Sequence, residues 1–259
     1  MTTFAVRTSN LPAINSMTKY PSIPTYHSLD PRNGRLLDEA VPFPSLVIGT
    51  EKVDGTNSRI ILLPDGTYLL GSREELLYAQ GDLIGNPALG IVDALRPIAD
   101  NLPAVEDDHI VVYYLEVYGG KVTAASKQYT GDKRVGHRLF DVAVIGDHRE
   151  MSGWDSQRVA AWRDAGGQQF LGETTLRRTA EDTGLDLTPR LFEIDATELP
   201  TDIAETKALL DKWMPSTRVA LDDDAAGRPE GIVLRSPDRA AIAKARFQDY
   251  ERTLKGRSR

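Results

Sequence analysis

The longest β-type run in the chain is His109-Ile110-Val111-Val112-Tyr113-Tyr114-Leu115-Glu116-Val117-Tyr118, closed by Gly119-Gly120. β-branched and aromatic residues fit a pleated, half-buried surface, and the glycine pair ends the run. A strand of this length needs partners, and the chain offers several. Leu46-Val47-Ile48 reads as a strand ending, residues 58–63 as the next strand, and 67–70, 138–145, 231–235 and 240–246 as further ones. Pro64-Asp65-Gly66 joins two of these runs as a hairpin turn, because Pro presets φ and Gly tolerates positive φ. Residues 88–102 have helical spacing, with Pro97 bending or ending the helix, and 154–164, 174–183 and 201–213 read as amphipathic helices. Prolines at 21, 24, 31, 42 and 44 make residues 20–45 an extended segment. Strands thus flank a helical stretch, which predicts an α+β fold of mainly antiparallel sheets. Residues 1–16 read as a loose leader, 17–259 as a single domain with a helical insertion at about 150–225, and the end of the chain as a polar, basic tail.

Composition narrows the function classes. Hydrophobic residues at 41% and charged residues at 27% are ordinary for a globular protein, with no apolar run of membrane-spanning length. The N-terminus lacks the apolar core of a signal peptide, so a cytoplasmic monomer without membrane contact is expected. The absence of cysteine excludes disulfides, thiolate metal sites and cysteine nucleophiles. A net charge of −7 argues against nonspecific coating of nucleic acid. Two segments nevertheless run basic. Lys121, Lys127, Lys133, Arg134 and Arg138 oppose only Asp132, and the seven Lys and Arg from 239 onward oppose only Asp249 and Glu251. An acidic protein with two such segments fits a polyanion held in one groove, or equally two solvated faces.

Within this frame, Glu51-Lys52-Val53-Asp54-Gly55-Thr56-Asn57 places one lysine between a strand end and a tight Asp-Gly turn, with Gly55 letting a ligand approach the backbone. Charges recur where other β-runs end or break: Arg73, Glu116, Glu230, and Lys244 with Arg246, which share one face at period two. A single strand-end charge is ordinarily solvated. Its repetition across five elements marks the set.

The ordered series Lys-x-Asp-Gly, strand-borne Glu before glycine, Phe-Asp, Glu-Gly-Ile-Val-Leu-Arg and Lys-x-Arg resembles that of covalent nucleotidyltransferases, the ATP-dependent polynucleotide ligases and mRNA capping enzymes. Glu-Lys-Val-Asp-Gly-Thr-Asn is most similar to the RNA ligase 2 branch. The resemblance spans residues 51–246 and implies an ATP-grasp-like nucleotidyltransferase domain of antiparallel sheets flanked by helices. It implies an ATP-dependent RNA ligase that joins 5′-phosphate and 3′-hydroxyl ends of RNA, with DNA as an alternative acceptor, using ATP and Mg²⁺ or Mn²⁺.

On that resemblance, Lys52 is the nucleophile that forms lysyl–AMP, and an ammonium must lose its proton before it attacks. Lys244 contacts the α-phosphate. Arg246 stands where the family commonly has a second lysine. An arginine fork can clamp phosphate but cannot donate a proton. Glu230 holds the divalent metal, Glu116 accepts from the ribose, Phe140 stacks on adenine and Glu51 reads the adenine edge. Arg73 grips a 5′-phosphate or the lysyl–AMP site, and Asn57 positions a phosphate or metal-bound water. Arg235 and Lys121 are further phosphate contacts. The 13 residues after Arg246 leave no room for a C-terminal OB domain or a small helical domain, which favours RNA sealing over DNA sealing or capping. The competing readings are a DNA ligase-type nucleotidyltransferase and a nucleotide- or RNA-binding module without catalysis.

Overall fold

The computed structural model describes residues 10–86, 90–105, 107–225 and 227–257. Two antiparallel sheets carry the structure. The larger is assembled from β4 (Thr56–Leu62), β5 (Tyr68–Ser72), β6 (Leu76–Ala79), β7 (Asp82–Leu83), β8 (Ile110–Gly119), β9 (Val135–Ile145) and β10 (Gln169–Phe170), in the spatial order β10-β9-β8-β4-β5-β6-β7. The smaller is assembled from β3 (Leu46–Lys52), β11 (Arg190–Asp195), β12 (Gly231–Arg235) and β13 (Ile242–Arg246), in the order β11-β3-β12-β13. A two-stranded ribbon, β1 (His27–Leu29) with β2 (Leu36–Ala40), completes the set. Seven α-helices surround them among the described residues: α1 (Leu11–Thr18), α2 (Ile91–Ala99), α3 (His148–Met151), α4 (Ser156–Asp164), α5 (Glu173–Thr183), α6 (Ile203–Trp213) and α7 (Phe247–Arg257).

The larger sheet is buried on both faces, which explains why its strands are nearly continuous apolar runs. Ile60, Leu62, Leu70, Tyr113 and Leu115 face a core with α2 and α5, contributed by Leu95 and Leu176. Their strand neighbours Ile61, Leu69, Val112 and Tyr114 face a second core with α1 and α4, contributed by Met17 and Val159. The two sets alternate residue by residue, as the strand period requires. The hairpin at Pro64-Asp65-Gly66 is present: Gly66 has φ +84°, and Leu63 N–H donates to the Thr67 carbonyl at 2.9 Å.

The smaller sheet is apolar on one face only. Val47, Phe192, Ile232, Leu234, Ala243 and Ala245 pack against Ile203 and Leu210 of α6 and Phe247 and Tyr250 of α7. The opposite face carries Thr50, Lys52, Val233 and Lys244 and looks toward the larger sheet. Strand β3 belongs to the smaller sheet and β4 to the larger, so the chain crosses between them at Val53-Asp54-Gly55, directly after Lys52.

Three sequence expectations change. Residues 10–16 are not loose: Asn10 caps α1 by accepting from Ala13 N–H, and Ala13, Ile14 and Met17 are buried against the larger sheet. Residues 1–9 of the expected leader lie outside the described residues. The expected helical insertion is interrupted by β11, which supplies the edge of the smaller sheet by pairing Ile194 with Val47 and Arg190 with Thr50. The basic tail forms α7, anchored when Leu36 N–H donates to Thr253 Oγ1 at 2.9 Å and when Tyr250 Oη meets His27 Nδ1 at 2.8 Å.

A buried charge network fastens the two sheets together. Asp141 on β9 is fully buried. It accepts from Arg239 Nε at 2.8 Å and from Tyr20 Oη at 2.9 Å, and its second oxygen lies 3.7 Å from Arg235 on β12. Arg235 also reaches Glu173 of α5 at 3.8 Å, and Glu173 accepts from Arg190 of β11 at 2.9 and 3.1 Å. Removing one partner of such a cluster leaves buried charge uncompensated, at a cost of about 3–5 kcal/mol. Asp141→Ala is therefore expected to lower unfolding free energy by about that amount, read from the urea midpoint with an unchanged m-value.

Candidate functional site

The cleft between the sheets has a volume of about 380 Å³. Strand pairing brings its basic residues together. Gly231 sits opposite both Lys52 and Arg246, and Val233 opposite both Thr50 and Lys244. Glycine is required at 231, because a Cβ there would lie 2.0 Å from the Ala245 carbonyl oxygen. From the larger sheet, Asn57 on β4 and Glu116 on β8 are directly paired and enter the same cleft, with Phe140 of β9 and Arg73 at its margin.

Lys52 Nζ is ion-paired with Glu230 Oε2. The backbone prepares this contact: Glu230 N–H donates to the Lys52 carbonyl at 3.1 Å, and Phe247 N–H at the start of α7 donates to the Glu230 carbonyl at 3.0 Å. Arg246 Nη1 stands 3.7 Å from the other Glu230 oxygen. Its Nε and Nη2 are held by Asp249 of α7 at 2.7 and 3.2 Å. That carboxylate is itself buried, so the guanidinium is fixed as a fork rather than left to search. Burial, followed by the positive charges of Arg246 and Lys52, holds the Lys244 ammonium below its ordinary value.

The carboxylates respond in the opposite sense. Burial and the charge of Glu230 raise Asp54. Burial pushes Glu116 up to about 7, against the pull of Lys52 and of the Gly55 N–H, which donates to Glu116 Oε1 at 3.0 Å. Asp54, Glu116 and Glu230 thus act on one another around a single lysine.

Lys52, Asn57, Arg73, Glu116, Phe140, Glu230, Lys244 and Arg246 all line the cleft. The half-buried Phe140 ring is braced edge-on by Tyr20, with centroids 5.0 Å apart. Four other sequence expectations meet a different environment. Glu51 is buried and both its oxygens are occupied, by Thr217 Oγ1 at 2.5 Å and Arg218 N–H at 2.9 Å, so its carboxylate is not free to read an adenine edge. Strand alternation explains this, since Glu51 projects to the face opposite Lys52. Arg235 also lines the cleft, but its guanidinium serves the inter-sheet network and donates to the Phe140 and Leu171 carbonyls at 3.3 Å, rather than waiting for a phosphate. Lys121 is exposed and does not line the cleft. Gly55 is required by protein, since a Cβ would lie 2.3 Å from the Val117 carbonyl oxygen of β8.

Sequence reasoning missed Asp249, Asp54 and Tyr129, whose Oη accepts from Asp54 N–H at 2.6 Å and so braces the turn after the lysine. Arg246 ends β13 and Asp249 lies in the first turn of α7, so their pairing depends on a strand-to-helix junction that no simple spacing rule marks.

Two facing antiparallel sheets thus enclose a cleft with a lysine at their crossover. The RNA ligase family model matches residues 45–251, and the chain belongs to that family. Among solved structures, an archaeal ATP-dependent RNA ligase is similar with TM-score 0.53 and 18% identity, over 90% of this chain and 49% of that one. A lysine-to-alanine variant of the Naegleria gruberi RNA ligase, with ATP and Mn, is similar with TM-score 0.55 and 14% identity, over 94% of this chain and 59% of that one. A glutamate-to-alanine variant of the same ligase, also with ATP and Mn, gives TM-score 0.55 and 14% identity over 93% and 63% of the two chains. At these identities the likeness is one of fold, and the chain spans about half to three-fifths of the length of those proteins. No curated protein matches the chain.

The Glu116 environment has a measurable consequence. Between the ordinary carboxylate value of 4.5 and about 7, this group holds a proton in the folded chain but not in the unfolded one. Its contribution to stability is therefore complete below that window and is lost as pH rises through it. Glu116→Gln is expected to flatten this part of the stability profile and to unfold at higher urea than the parent on the alkaline side. Urea titrations on either side of the window check it.

Proposed function

We propose that this chain is an ATP-dependent RNA ligase that joins 5′-phosphate and 3′-hydroxyl ends through a lysyl–AMP intermediate on Lys52. The observation that carries the reading is a lysine at the sheet crossover, ion-paired with Glu230, with Lys244 and Arg246 on adjacent strands.

In the resting cleft Lys52 is held by Glu230. Loss of the lysine proton to solvent frees a lone pair on Nζ and ends its ion pair with Glu230, whose other oxygen still faces Arg246 at 3.7 Å. Nζ then attacks the α-phosphorus of ATP. An N–P bond forms, the bond to the β-phosphate oxygen breaks, and pyrophosphate leaves. Lys244 and Arg246 lie where charge builds on the phosphoryl oxygens, and Asp249 keeps the arginine in place. Phe140 offers a face to the adenine ring, Glu116 an acceptor to the ribose, and Asn57, its partner across β4 and β8, a hydrogen bond to phosphate. The 5′-phosphate of an RNA, held at Arg73, next displaces Lys52 from AMP and gives an adenylylated 5′ end. A 3′-hydroxyl finally attacks that end and AMP departs.

A divalent cation fits the same residues. Glu230 lines the cleft beside Lys52, and Mg²⁺ is typically held by one or two carboxylates together with phosphate oxygens. Glu230 would hold it, and it would supply neutralisation of phosphate charge.

Incubation with α-phosphate-labelled ATP and Mg²⁺ or Mn²⁺ is expected to label the protein covalently, and Lys52→Ala to abolish the label. Absence of label in the parent, or undiminished label in the variant, overturns the reading. Asp249→Asn, which loosens Arg246 without touching nucleotide, is expected to slow label formation by up to about 100-fold. Single-turnover kinetics at saturating ATP, with the urea midpoint as the folding control, check this.

A further inference from the structure

A second cavity, of about 620 Å³, lies between α1 and α4. It adjoins the lysine cleft, since Tyr20, Pro21, Ser22 and Arg73 line both. Its cations are Lys19, Arg73 and Arg163, and its polar wall is made by Asn15, Ser16, Ser22 and Ser156. Two exposed carboxylates answer them. Glu74 meets Lys19 at 2.9 Å and Arg73 at 3.4 Å, and Asp164 meets Arg163 at 3.0 Å.

Beneath this groove is a third arginine. Arg59 on β4 is almost wholly buried, yet it faces no carboxylate at hydrogen-bond distance. It donates to the carbonyl and the side-chain oxygen of Asn15, and its Nε has no hydrogen-bond partner. Burial lowers its guanidinium to about 10, which leaves it protonated near neutrality. Three lining cations against two exposed carboxylates, with Arg59 buried beneath them, leave this groove locally positive on a chain of net charge −7. Apart from the Tyr20 ring, already engaged edge-on by Tyr114, Phe140 and Phe170, the groove offers no aromatic face on which bases could stack. Its chemistry is that of a phosphate and sugar contact surface.

We infer that the groove between α1 and α4 carries the sugar–phosphate backbone of the RNA strand whose 5′-phosphate reaches Arg73. The inference rests on the ligase reading for the direction of the strand, with the terminal phosphate in the lysine cleft and the following nucleotides in the groove. Contact is with the backbone, so it is tolerant of sequence. It is also tempered by Glu74, which competes with phosphate for Lys19 and Arg73.

The test is binding of a 5′-phosphorylated oligoribonucleotide across a salt series, by fluorescence anisotropy on the full chain, beside a 5′-phosphorylated dinucleotide too short to fill the groove. Each phosphate contact to a single strand contributes about 0.7 to the slope of log affinity against log salt. Lys19→Gln combined with Arg163→Gln is expected to weaken oligonucleotide binding and to reduce the slope by about 1.4, leaving dinucleotide binding and ATP-dependent labelling of Lys52 unchanged. Glu74→Gln is expected to tighten oligonucleotide binding at low salt, a gain that misfolding cannot produce. Parent affinity and slope in both variants, with labelling intact, overturn the groove, as does equal binding of dinucleotide and oligonucleotide. A parent that is never labelled but shows these slope changes overturns the ligase reading and supports the groove.

Discussion

The cleft depends on charge buried at the seam between two sheets. Asp141 belongs to the larger sheet and Arg235 to the smaller, and both are excluded from solvent. Neither could be buried alone without a large desolvation cost. Together with Arg239, Glu173 and Arg190 they form a cluster whose members come from β9, β11, β12, α5 and the loop before β13. Apolar packing within each sheet does not specify how the sheets meet. Directional contacts between Asp141 and the arginines do. Because Arg235 also donates to the Phe140 carbonyl, the same cluster sets the wall of the lysine cleft.

From that seam the position of Lys52 follows. Strand β3 is central in the smaller sheet, paired on both sides, so its end is stiff. The next three residues cross to the larger sheet and are braced by Tyr129 and by the close approach of Gly55 to β8. The lysine therefore projects from a well-supported strand end. Its ion pair with Glu230 makes Lys52 and the proposed cation compete for one carboxylate.

Much of this was legible in the amino-acid order. The apolar runs of β4, β8 and β9 could be read because both faces are buried and every residue reports the same environment. The recurring charges that gather at Lys52 could be read because each lies where a strand pattern ends. What could not be read depends on partners distant along the chain. Glu51 resembles an exposed strand-end acid until Thr217 and Arg218 are brought onto it. Arg235 resembles a phosphate ligand until Asp141 lies beside it. Helices α1 and α7 have weak local signals, and their order comes from packing on sheets formed elsewhere. Asp249 went unnoticed for the same reason.

Asp249 also changes the meaning of the last helix. Arg246 is fastened to it on one side, and on the other Arg252 ties the same carboxylate at 3.0 Å and reaches the Gly34 carbonyl beside the β1–β2 ribbon. The guanidinium charge of Arg246 is thus moored through a relay of ionic contacts to the loop of the β1–β2 ribbon. Fraying of α7 would be transmitted inward as a loosening of the Arg246 fork in the cleft, while Lys52 on β3 stayed in place. Local melting of a peripheral helix and loss of fixed positive charge at the centre then become one event in this molecule.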